Sequence, residues 1–88
     1  MARSYWTQSA LTDLEKLDSL IARRIVKKIT WLVKNFENIT PEPLIKELKG
    51  LFKFRIGDWR IVYSLEEDGT IVIQYIGHRS QIYKRIKH

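Results

Sequence analysis

At 88 residues and without cysteine, the chain has room for one small domain (1–88) and one site, and it excludes a disulfide framework, a thiolate metal cage and a cysteine nucleophile. Sixteen Lys and Arg against ten Asp and Glu leave a net charge of +6, with a pI near 9.8, which fits either a nucleic-acid footprint or a plain solvated basic surface. A 44% hydrophobic content is too high for a disordered basic tail, and neither a signal peptide nor a run of roughly 18 to 20 apolar residues is present, so a cytoplasmic protein with no membrane partner is expected.

Tyr5 and Trp6 end a short candidate strand. Thr7 and Ser9 then offer caps for a first helix over 9–17, carrying Leu11, Leu14 and Leu17 at threefold spacing. Asp18 can cap a longer helix in which Ile21, Ile25, Ile29, Leu32, Val33 and Phe36 recur at spacings of three and four, as one buried stripe requires. Its other face carries Arg23, Arg24, Lys27, Lys28 and Lys34, either an ordinary wet face or a nucleic-acid surface. Pro41 and Pro43 make 38–43 a loop.

From Leu51 the period changes to two, and strands are expected over 51–56, 59–66 and 70–78. Gly57-Asp58 suits a type II′ hairpin turn and Asp68-Gly69 a type I′ turn. The expected fold is therefore α+β: an N-terminal strand, a two-helix antiparallel hairpin packed on one sheet face, a three-stranded antiparallel meander and a short C-terminal tail.

With a two-residue turn at Gly57-Asp58, Arg55 pairs with Arg60 and Lys53 with Val62. Phe52, Phe54, Ile56, Trp59, Ile61 and Tyr63 then share the face that receives the helices, and Lys53, Arg55 and Arg60 share the other. Carrying the register through Asp68-Gly69 sets Arg60 opposite Gly77, with Arg79 diagonally beside it, so four cations converge. Like charges directly opposite are destabilising, which points to an anion on this face. Gly77 either admits a substrate backbone or simply bends the strand end. By alternation His78 points to the opposite face, and the apolar Ile71, Ile73 and Tyr75 lie on the outer face beside Val62, needing cover from the C-terminal segment or a partner peptide.

Guanidinium and ammonium groups clustered this way fit phosphate. In RNA the 2′-hydroxyl can attack its own 3′-phosphate, so a site that aligns it, moves two protons and stabilises phosphoryl charge can cut the chain with no metal or other cofactor. Arg60 and Arg79 are candidates for charge stabilisation, Lys53 for the base and His78 for the acid, if it can reach. A Gly-rich phosphate loop, a histidine pair at metal spacing and a nucleophile elbow are all missing from the sequence.

Leu48-Lys49-Gly50, then 55–63 as Arg-Ile-Gly-Asp-Trp-Arg-Ile-Val-Tyr, then Gly77-His78-Arg79 with Ile82-Tyr83, together resemble the RelE/ParE toxin superfamily over essentially the whole chain. The resemblance implies a toxin that enters the ribosomal A site and cuts mRNA, leaving a 2′,3′-cyclic phosphate, and a cognate antitoxin that blocks it in a hetero-oligomer. It implies roles for Lys53 as base, Arg60 and Arg79 as phosphate and transition-state stabilisers, and Tyr83 as a residue that orients or stacks on substrate, with Arg55 supporting them. Lys84 and Arg85 in the basic C-terminal segment are further RNA-binding candidates. Some RelE proteins carry a lysine two positions before Lys53, where this chain has Leu51.

The YoeB-like branch shares Pro41-Glu42-Pro43-Leu44 and the 25–29 segment, and uses a glutamate base and a histidine acid, positions matched here by Glu42 and His78. The base is thus either Lys53 or Glu42. Two other function classes stay open: a ParE-like inhibitor of DNA gyrase and a non-catalytic RNA-binding module.

Overall fold

A computed structural model describes residues 2–45 and 50–86. The Leu48-Lys49 part of the sequence motif and the terminal Lys87 and His88 lie outside the described residues. Strand β1 (Ser4–Trp6) leads into helices α1 (Gln8–Glu15) and α2 (Ser19–Lys34), a single 3-10 turn (Phe36–Asn38) and a two-residue strand β2 (Glu42–Pro43). Strands β3 (Phe52–Ile56), β4 (Trp59–Leu65) and β5 (Ile71–His78) form the meander, and helix α3 (Ile82–Ile86) follows. One mixed sheet has the order β1-β5-β4-β3-β2, with β1 parallel to β5 and the other pairs antiparallel.

The α+β class and the helical hairpin on one sheet face are as expected. Ile25, Ile29 and Leu32 of α2 pack on Ile56, Ile61, Tyr63, Ile71, Ile73 and Ile76 of the sheet, the main core. Thr7 caps α1 by accepting from the Ala10 N–H at 3.1 Å, whereas Asp18 precedes α2 without a side-chain cap bond. In α1 the buried positions are Ala10 and Asp13, not the leucines: a spacing of three drifts off a 3.6-residue period, and Leu11 is left 42% exposed.

Four local expectations are corrected. Residues 42–43 are not loop: Glu42 and Pro43 pair with Lys53 and Phe52, with proline at the sheet edge, where no ladder donor is needed. The C-terminal tail is the short helix α3. Asp68-Gly69 does not form a type I′ turn, which needs positive φ at both central residues; only Gly69 has one, at 90°. The Gly69 N–H donates to Glu66 O and the Thr70 N–H to Asp68 Oδ1, each at 2.9 Å, giving a three-residue loop closed by glycine. The Thr70 amide holds the Asp68 carboxyl below the usual carboxylate range.

That longer loop shifts β5 by one residue, and a bulge at Gln74 shifts it back, since Tyr63 pairs with Ile73 but Val62 with Tyr75. Arg60 therefore still lies opposite Gly77. Between loop and bulge the faces are inverted, so Ile71 and Ile73 are fully buried in the main core and are not on the outer face. Thr7 pins the bulge from α1: its hydroxyl donates to Gln74 O at 3.0 Å and its N–H to Ile73 O at 3.1 Å. Gly57-Asp58 behaves as expected for type II′, with Gly57 at φ 60° and Asp58 at negative φ.

Candidate active site

The outer sheet face is where the site residues gather, and α3 organises it. Ile82, fully buried, packs with Val62 and Leu44 in a second, smaller core bordered by Tyr75, Tyr83 and Ile86. Gly77 is the notch that admits it: a Cβ there would stand 2.8 Å from Ile82 Cδ1. The space opened by Gly77 is thus filled by the protein's own side chain, and the C-terminal segment supplies the cover expected over Val62.

Seated this way, α3 brings Tyr83 to Lys53. Lys53 Nζ donates to the Tyr83 hydroxyl at 3.1 Å, lies 5.6 Å from its ring centroid and stands 3.5 Å from Glu42 Oε2. Arg55 donates to the same carboxylate oxygen at 2.9 Å. Glu42, placed by the β2–β3 register directly beside Lys53, is the internal counter-ion for both cations. That explains in part how the chain tolerates Arg55 directly opposite Arg60. Both partners of the Arg55 pair are about half exposed, so its own worth is at most about 1 kcal/mol.

Arg60 and Arg79 form a second group at the Gly57-Asp58 turn. Arg60 Nη1 donates to Gly57 O at 2.9 Å and to Trp59 O at 3.0 Å, and among the described residues it has no carboxylate partner. Its charge is oriented by carbonyl dipoles and, among the described residues, left without a counter-ion. Arg79 continues the ladder past β5 through its N–H to Asp58 O at 2.8 Å, and its Nε is 3.6 Å from Asp58 Oδ1. The four cations accordingly fall into two pairs, Lys53 with Arg55 around Glu42 and Arg60 with Arg79 around the turn.

His78 is opposite Trp59, with its ring edge-on to the indole at 5.4 Å, on the face that alternation assigned to it and away from Lys53 and Arg60. Its Nδ1 accepts from the Ser80 N–H at 3.1 Å and lies 2.8 Å from the Ser80 hydroxyl, so a neutral ring carries its proton on Nε2. Lys84 is exposed on α3. Arg85 turns to the edge of β5, where it pairs with Asp13 at 2.8 Å, with its guanidinium over the Tyr75 ring at 4.8 Å.

A cleft of about 340 Å³ between the 38–42 segment and β3 is lined by Glu42, Lys53, Arg55 and Tyr63 among others. Burial, and secondarily the Glu42 carboxylate, push the Tyr63 hydroxyl up to about 12. Sequence reasoning missed Asp13 and Asp58. Asp13 had a signal, since it lies three residues after Ala10 and four before Leu17 on the buried stripe of α1, where a carboxylate needs a partner.

Comparison with known proteins settles the relationship. Residues 5–83 match the model of the ParE toxin of the type II toxin-antitoxin system parDE. The chain belongs to the RelE/ParE toxin superfamily. It is 32% identical over 81 residues to Toxin RelG of Mycobacterium tuberculosis, covering 91% of this chain and 93% of that protein. Toxin RelE of the same organism is 32% identical over 79 residues, or 89% and 81% of the two chains. Among solved structures, the toxin-antitoxin complex RelBE2 of M. tuberculosis superposes with a TM-score of 0.76 at 30% identity, covering 89% of this chain and 98% of that one. The isolated Escherichia coli RelE toxin, at 17% identity, shares the fold with a TM-score of 0.70 over 98% and 99% of the chains.

Proposed function

We propose that this RelE/ParE-superfamily toxin is a ribosome-dependent endoribonuclease that cuts mRNA in the A site and thereby stops translation in the cytoplasm. The observation that carries this reading is the joining, on one open sheet face, of a Lys53–Tyr83–Glu42 cluster with an Arg60 that has no carboxylate partner among the described residues. A cationic, carbonyl-oriented guanidinium suits a phosphoryl group gaining negative charge.

In the reaction the 2′-oxygen bonds to the adjacent phosphorus while the base takes its proton. The bond to the 5′-oxygen then breaks, and a proton delivered to that oxygen leaves a 2′,3′-cyclic phosphate and a free 5′-hydroxyl. Lys53 and Glu42 are the two candidate bases, 3.5 Å apart. Arg60 and Arg79 bear on the phosphoryl oxygens, Arg55 supports the site, Tyr83 orients or stacks on a base, and Lys84 contacts the RNA backbone. His78 faces the other way and serves as acid only through a substrate that reaches round the hairpin tip.

Mapping RNA ends after translation of a defined message on purified ribosomes tests the reading, with Glu42→Gln and Lys53→Met separating the bases. Loss of cyclic-phosphate ends in one variant and their retention in the other assigns the base. An uncut message with wild-type protein rejects the reading. The match to the ParE model favours a second one, inhibition of DNA gyrase, marked by trapped gyrase–DNA complexes with intact mRNA.

The partner reading is a cognate antitoxin, supported by relatives solved as toxin-antitoxin complexes. An apolar groove of about 580 Å³ on the helical face, lined by Trp6, Leu11, Leu14, Val26, Ile29 and Val33 with Lys34 alongside, fits an acidic amphipathic segment. Co-purification with the product of the neighbouring gene checks it, and a monodisperse toxin that binds no such product removes it.

A further inference from the structure

We infer that Asp13 and Arg85 are a positioning pair that fixes the rotation of α3 and so sets Tyr83 against Lys53. The catalytic consequence rests on the nuclease reading above; the geometric one does not. Helix α3 has five residues, too few to hold an orientation by its own hydrogen bonds, so its anchors decide where its side chains point. Ile82 in the Gly77 notch and Ile86 one turn later pack along one line against the smaller core, which fixes where the helix lies but resists a roll about that line only weakly.

The second anchor is electrostatic and comes from the other face of the sheet. Strand β1 accompanies β5 only as far as Ile73, so beyond it the edge of β5 is open. Asp13 of α1, only 10% exposed at its side chain, closes that edge, its Oδ2 accepting from the Ile76 N–H at 2.9 Å. Arg85 reaches past the same edge to the same oxygen at 2.8 Å, its guanidinium carbon 4.8 Å from the Tyr75 ring centroid. A planar guanidinium held between a carboxylate and an aromatic ring is directional in a way that a lysine is not.

On a helix Arg85 and Tyr83 project to opposite sides of Ile82, so holding one determines the other. With the tyrosine hydroxyl about 8 Å from the helix axis, a roll of about 15° displaces it by about 2 Å, enough to break its 3.1 Å bond to Lys53. A link between residues 13 and 85, distant in sequence, thereby reaches the site without touching substrate.

The test uses the full chain labelled with 3-fluorotyrosine, the Tyr83 resonance being assigned with Tyr83→Phe. Asp13→Asn keeps an oxygen for the Ile76 N–H while removing the charge, and Arg85→Ala removes a partly exposed side chain, so neither needs to unfold the protein. Both variants are expected to move the Tyr83 fluorine signal to the position it takes in Lys53→Met. In the ribosome assay Arg85→Ala is expected to slow single-turnover cleavage about tenfold or more with message affinity unchanged, and to add nothing in a Tyr83→Phe background. A Tyr83 signal unmoved in both variants overturns the inference, as does an equal cost of Arg85→Ala with and without the Tyr83 hydroxyl. If the wild type cuts no RNA the nuclease reading fails, and the fluorine shift still decides the pair.

Discussion

Gly77→Ala tests the seat of α3. Gly77 lies in β5 without a positive φ, so alanine meets no backbone strain there and its lower unfolded-state entropy favours folding by about 0.5 to 1 kcal/mol. Against that, the new Cβ falls 2.8 Å from Ile82 Cδ1 and 3.6 Å from Ile82 Cβ, and Ile82 is fully buried with nowhere to retreat. Overpacking of this kind costs about 1 to 3 kcal/mol, so a net loss of about 1 to 2 kcal/mol is expected. Ile82→Val deletes the clashing methyl and alone costs about 0.5 to 1.5 kcal/mol. In the double variant the clash is gone, so its loss of stability by urea unfolding should be smaller than the sum of the single losses by about 1 kcal/mol or more. Strict additivity would refute the notch, because it would mean that the two positions do not meet.

Gly57→Ala is expected to destabilise by about 1 to 2 kcal/mol in the same assay, since Gly57 sits at φ 60° and its Cβ would meet the Arg24 guanidinium at 3.0 Å. A change below a few tenths of a kcal/mol would contradict it. The Tyr63 hydroxyl titrates near 12 in the folded protein and near 10 when unfolded, so above pH 10 the unfolded state releases a proton that the folded state keeps. Stability from this residue is full below pH 10 and declines as pH rises towards 12, by up to about 3 kcal/mol. Unfolding measured from about pH 9 to 11.5 should show a steeper alkaline loss for wild type than for Tyr63→Phe; parallel curves would remove the claim.

The parts of the fold that were legible in the sequence are those whose causes are local. Gly57-Asp58 and the alternation around it give the β3–β4 register residue for residue, and with it the placement of Lys53, Arg55 and Arg60 on one face. The stripe of α2 is likewise a matter of spacing. The bulge at Gln74 escaped because its cause is Thr7, remote in sequence, and its effect on register is cancelled by a loop one residue longer than expected. It left Arg60 opposite Gly77 as expected while reversing Ile71 and Ile73. Glu42 read as loop because its strand consists of two residues defined only by their partners on β3. Arg85 read as part of a free basic tail because its partner, Asp13, belongs to the first helix. In each case the missing information was a tertiary contact with no local signature.

The central claim is that the carbonyl-oriented Arg60 on the outer sheet face drives RNA cleavage. Translation of a defined message on purified ribosomes, with RNA ends mapped for wild type and Arg60→Ala, tests it most directly. Cleavage by wild type that falls by about 100-fold or more in Arg60→Ala is the expected result. An intact message in the presence of wild-type protein that still arrests growth would contradict it.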